Sequence, residues 1–198
     1  MKKQSTKKLV LTALLGAMSA LLMVFEFSVP LAPTFVKFDF SDLPIIIGGF
    51  LMGPLSGIAT AIIKILLSTM IRGTTTMFVG ELSNLILSIV FVFPASYLYQ
   101  HHKTKTSAKK GLISGTIIAS MLAIISNLFV IFPLYASLFG ISLQDILKMA
   151  MVTNPLVTNM TTMMIFSLLP FNLLKYGVIS VVTIVVYKKL SLEFKKYI

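Results

Sequence analysis

The chain has 198 residues, 57% of them hydrophobic and only 12% charged, with a mean hydropathy of +0.96, which excludes a soluble globular domain and marks a membrane protein. Cysteine is absent, so no disulfide framework, thiol nucleophile or cysteine metal site is available. The net charge of +11 would suggest a nucleic-acid partner in a soluble chain, but here the basic residues cluster beside apolar stretches, as they do when charge sets membrane topology.

The first apolar segment runs from about Lys8 to Phe27. It is too long for a secretory signal and no small-x-small cleavage site follows, so it reads as a retained first helix. Within it Ala13 and Ala17, and Gly16 and Ala20, form two small-xxx-small pairs that would let another helix approach closely in lipid; packing within the bundle is the alternative. An extended loop, "SVPLAPTFVKFDFSD", leads to a short segment from about Leu43 to Met52. Asp42 stands where a helix-end carboxylate is stabilising. "GP" at Gly53 and Pro54 then breaks the chain before a third segment, about Leu55 to Ile71, whose Lys64 has a stem long enough to snorkel or pair internally. Three more segments follow, at about Met77 to Tyr99, Gly111 to Phe139 and Met160 to Tyr187. The expectation is an all-α membrane protein: one domain over residues 1–198, built as a six-helix bundle whose second helix is too short to cross comfortably and packs among its neighbours.

Charge supports the same count. With both termini cytoplasmic, the inner segments hold Lys2, Lys3, Lys7, Lys8, Lys103, Lys105, Lys109, Lys110, Lys188, Lys189, Lys195 and Lys196, while the outer loops hold only Lys37, Arg72 and Lys148.

This orientation places the intramembrane polar residues. Glu81 and Asn84 lie three residues apart on one face, roughly 6 and 10 Å below the outer end of the fourth helix, with Ser88 a turn deeper. Asn127 falls in the outer half of the fifth helix. In the sixth, "PFNLLK" presents Asn172 and Lys175 on one face, flanked by Tyr176. Three helices thus direct amides and a complementary pair, Glu81 and Lys175, to one outer region; a ligand site and a self-satisfied interhelical cluster are the two readings.

No "GxxxxGK[ST]" phosphate loop, "HExxH" or "GxSxG" occurs, and an intramembrane enzyme would have to rely on Asp39, Asp42 and Glu81 alone. His101 and His102 are adjacent rather than at metal-ligand spacing, and no metal is expected.

The runs "FVKFDFSDLPIIIGGFLMGPLSG" (35–57), "GELSN" (80–84) and "PFNLLK" (170–175) resemble the substrate-binding (S) component of energy-coupling factor vitamin transporters, in particular its riboflavin-specific type. The resemblance covers nearly the whole chain. It implies a non-enzymatic protein that takes riboflavin from outside as transported substrate, with no cofactor. It also implies a membrane-embedded coupling protein and two ATPases as partners, met through the small residues of the first helix, with transport by toppling of the binding component.

Riboflavin offers a flat ring system, a uracil-like edge and a chain of hydroxyls. Asn127 and Asn172 suit the edge, since each amide both donates and accepts, and Lys175 is a further donor. Glu81 and Asn84 would accept from hydroxyls or the N–H. Apolar walls would come from Phe171 and from the first loop, with Phe35, Phe38 and Phe40, and Asp39 belongs to the same loop as it closes over the pocket. Folate, thiamine or a related heterocycle is the alternative substrate within the same transporter class.

Overall fold

Segments long enough to span lipid must satisfy their backbone internally, so each apolar run is forced into helix. The computed structural model describes residues 2–30 and 32–194, with side chains placed for 6–30 and 32–186. Its elements are α1 (Lys2–Val24), β1 (Phe27–Ser28), β2 (Lys37–Phe38), α2 (Asp42–Met52), α3 (Pro54–Arg72), α4 (Val79–His102), α5 (Lys105–Ser126), α6 (Phe132–Phe139), α7 (Leu143–Thr153), α8 (Met160–Met163) and α9 (Leu169–Phe194). A π turn at Asn127–Ile131 joins α5 to α6 as one rod, and another at Met164–Leu168 joins α8 to α9. Among the described residues five rods are long and apolar enough to cross a membrane, and α2 is a shorter apolar helix beside them. Of the expected inner-end cations, Lys195 and Lys196 lie outside the described residues, and the side chains of Lys2, Lys3, Lys188 and Lys189 lie outside those placed.

Why α2 is short becomes clear from what precedes it. The loop after α1 forms a two-stranded antiparallel hairpin, Phe27 opposite Phe38 and Ser28 opposite Lys37, and then descends into the bundle. Its non-helical backbone is tolerated there because protein groups satisfy it: Ser41 N–H donates to Asp39 Oδ1 at 2.8 Å, and the Ser41 carbonyl accepts from the Ser19 hydroxyl. Helix begins only at Asp42, and the 11 residues of α2 rise roughly 16 Å to Met52 at the far end. The missing upper half of this helix leaves room for a cavity.

The far end is packed tightly. A Cβ on Gly111 would lie 2.5 Å from the carbonyl oxygen of Ala95, and one on Gly115 2.6 Å from that of Phe91, so α4 and α5 approach backbone to backbone. Ile45, Phe50, Phe91, Leu112, Tyr176 and Ile179 fill the interior beside this seam.

Three features depart from expectation. α5 starts at Lys105 rather than near residue 111, because Thr104 caps it by accepting from Ser107 N–H at 3.1 Å. The segment between the fifth and sixth spans contains a helix, α7, opened by a Ser142–Asp145 capping box. The Ser142 hydroxyl and backbone N–H hold the exposed Asp145 carboxyl below its ordinary range. The loop before α2 carries a hairpin.

Candidate functional site

At the end of the bundle where α1 and α3 finish and α4 begins, a cavity of about 380 Å³ opens beneath the hairpin. Four rings, Phe35, Phe132, Tyr135 and Phe139, give it an aromatic wall: Phe35 meets Phe132 edge-on with centroids 6.1 Å apart, and Tyr135 stacks on Phe139 at 5.5 Å. Glu81, Asn84 and Asp39 supply polar atoms, and Ile146 and Met149 of α7 close one side. A smaller cavity of about 120 Å³ adjoins it and shares Phe35, Lys37, Gly80, Asn84 and Tyr135 as lining. Asn127, Phe171, Asn172, Lys175 and Tyr176 line this second chamber.

The two chambers therefore gather the amides and charges expected from α4, α5 and α9. Two side chains go elsewhere. Phe38 and Phe40 line neither chamber; they pack with Ala32 and Phe171 in an apolar cluster under the loop, their rings 5.3 Å apart.

The ion pairing also differs from expectation. Lys175 does not pair with Glu81 but with Asp39, at 3.0 Å, and stands 3.9 Å from Asp42. Glu81 instead accepts a 2.5 Å hydrogen bond from Thr76, whose hydroxyl also accepts from Gly80 N–H. The reason is the descending loop, which carries Asp39 from the external position expected of it down to Lys175. Asp42 does occupy the first turn of α2, where the helix dipole favours it, but its main partners are Lys64 at 3.1 Å and the Ser88 hydroxyl. Lys64 pairs internally rather than snorkelling and is fully buried. Two lysines face two aspartates and balance them, while the buried Glu81 lies apart on Thr76 with no cation in the cluster.

Each amide near a π turn is partly committed to its own helix. Asn127 Nδ2 donates to the Ala123 carbonyl at 2.7 Å, and Asn172 Nδ2 to that of Leu168 at 2.8 Å. Neither side-chain oxygen has a hydrogen-bond partner among the described residues, so both chamber-lining amides retain an acceptor. Lys175 uses one of its three N–H groups on Asp39. The site thus offers an aromatic wall beside a set of donors and acceptors, suited to a heterocycle with a polar edge.

Several site residues escape sequence reasoning. Phe132, Tyr135 and Phe139 look like ordinary spanning residues. Glu26 and Arg72, which bridge the link after α1 and the end of α3 at 2.9 Å beside the larger chamber, look like loop charges. The small-residue face of α1 divides: Gly16, whose added Cβ would lie 2.4 Å from Ile63, and Ala20 pack inside the bundle, whereas Ala13 is exposed and Ala17 half-buried.

The family described as "ECF transporter, substrate-specific component" matches residues 7–187. The chain is similar to a riboflavin transporter RibU of Staphylococcus aureus, 31% identical over 98% of this chain and 95% of that protein. It is also similar to a riboflavin transporter FmnP of Bacillus subtilis, 32% identical over 93% and 92%. A solved structure, described as the S component of a bacterial ECF transporter, superimposes with a TM-score of 0.74 at 28% identity, covering 96% of this chain and 99% of that one.

Proposed function

The chain belongs to the substrate-specific components of ECF transporters, a family of transport components rather than enzymes, and from that premise we propose that it binds riboflavin in the paired chambers and delivers it for import. The observation that carries the reading is the lining itself: an aromatic slot continuous with three amides, Lys175 and Glu81. Full-length similarity to two riboflavin transporters supports the same ligand. The isoalloxazine ring lies along Phe35, Phe132, Tyr135 and Phe139, and its uracil-like edge meets Asn127, Asn172 and Lys175. The hydroxyl chain reaches toward Glu81 and Asn84, with Asp39 holding the loop through Lys175 and Phe171 backing the smaller chamber.

In the membrane, six helical segments form the bundle, α2 among them and sheltered by its neighbours, with both termini cytoplasmic and the chambers opening outward. Charge supports this orientation: Lys7, Lys8, Lys103, Lys105, Lys109 and Lys110 lie at the end away from the chambers, and Lys37, Arg72 and Lys148 at the chamber end. Energy comes from a membrane-embedded coupling protein with two ATPases, since the sequence carries no phosphate loop of its own. Ala13 and Ala17 on the outer surface of α1 are its docking face.

Titration of purified protein in detergent tests the reading. Saturable quenching of riboflavin fluorescence is expected. A protein that leaves riboflavin fluorescence unchanged and binds folate or thiamine instead removes riboflavin as the substrate.

A further inference from the structure

Lys64 lines neither chamber, yet it is fully buried and surrounded by polar atoms: Asn84 Oδ1 at 2.6 Å, Ser88 Oγ at 2.8 Å, Asp42 Oδ1 at 3.1 Å and Ser41 Oγ at 3.2 Å. An ammonium only donates, so the Asn84 atom held at that distance must be its oxygen, and the two ends of the amide are told apart by chemistry. The Ser88 hydroxyl donates its one hydrogen to Asp42 and accepts from Lys64, so the ammonium alone fixes the amide. Asn84 Nδ2 has no hydrogen-bond partner among the described residues, and Asn84 lines both chambers.

We infer that Lys64 is a positioning residue that locks Asn84 with its amide N–H groups toward the chambers, so that the site demands a hydrogen-bond acceptor from the ligand at that point. The inference rests on the proposed riboflavin site and refines it, because Asn84 then donates to the ligand rather than accepting from its hydroxyls. Riboflavin satisfies the demand, carrying carbonyl, ring-nitrogen and hydroxyl acceptors. Glu81, one helical turn away, accepts, so neighbouring positions on α4 offer opposite polarity and fix which way round a ligand lies. A ligand with a donor facing Asn84 would leave two buried N–H groups unpaired, which is how polar sites reject analogues.

The test is riboflavin titration of wild type, Asn84→Asp, Asn84→Leu, Lys64→Met and the Lys64→Met/Asn84→Leu double variant, with melting of each ligand-free protein recorded alongside. Wild-type binding establishes the riboflavin reading by itself, and its absence removes that reading before any variant is compared. Asn84→Asp keeps shape and the Lys64 contact but removes the donors, so binding should weaken by about tenfold or more. Lys64→Met should weaken binding by about tenfold and add little once Asn84 is Leu, the non-additivity expected when one residue acts through the other. Asn84→Asp binding like wild type, or additive losses in the cycle, overturns the inference. Where Lys64→Met alone does not fold, Lys64→Met combined with Asp42→Asn keeps the network neutral and takes its place in the cycle with the same criteria.

Discussion

Where α4 meets the start of α5, backbones touch at Gly111 and Gly115; where the same rods continue past the Asn127–Ile131 turn, they stand apart around a cavity of about 380 Å³. One end has no space for a methyl group, and the other holds a small molecule's worth of room. In lipid, helices gain no hydrophobic energy from each other, so close packing must supply their cohesion. The tight end provides it, and this lets the other end keep polar groups unpaired and space unfilled. The bundle thus places its cohesion and its open chamber at opposite ends.

Variants can break this division or sharpen it. The largest effect is expected from Lys175→Met, which leaves Asp39 buried without its cation: about 3–5 kcal/mol of stability should go, and riboflavin binding with it. Melting and titration together check this, and unchanged affinity would take Lys175 out of the site. Gly111→Val acts at the opposite end. Its added carbons meet a backbone carbonyl that cannot turn aside, so the cost should be about 3 kcal/mol of stability, with riboflavin affinity of the folded protein intact. Affinity falling in step with stability would show that the two ends are not separable. Asn172→Leu, inside the chamber, should reverse that pattern, losing about 2 kcal/mol of riboflavin affinity with little change in melting. The smallest binding effect is expected from Ala17→Trp, on the lipid-facing side of α1, which should bind normally in detergent yet fail to support uptake in cells carrying the ATPase subunits. Normal uptake would place the coupling face elsewhere, and lost binding would show that Ala17 packs the bundle.

The spanning segments were legible because each is a long apolar run, and hydropathy needs no partner to be read. The polar site was legible in part, since Glu81, Asn84, Asn172 and Lys175 are rare residue types at helical spacing. The choice of partner was not. Lys175 finds Asp39 across 136 positions of sequence, and only the descent of a loop, invisible to periodicity, brings them together. α7 gives no spanning signal because its 11 residues are too few, although "SLQD" at its start carries the capping-box pattern. Phe132, Tyr135 and Phe139 were hidden in an unbroken apolar run. Nothing in their composition separates a ring facing a chamber from one facing lipid.

The π turn at Asn127–Ile131 has a consequence for how such a site can be inherited. A π turn is a helix carrying one residue more than its hydrogen bonding needs, and each residue turns the helix by roughly 100°. Before the turn the rod presents Leu112, Ala119 and Ala123 to the core; after it, Phe132, Tyr135 and Phe139 to the chamber. Deleting the exposed Val130 would take that extra residue out and turn the segment beyond it by roughly 100°, swinging all three rings aside together. Loss of a single in-frame codon would then erase one wall of the chamber at a stroke, which no point substitution among its residues does. The length of this rod, and not only the side chains along it, therefore sets which rings face the chamber.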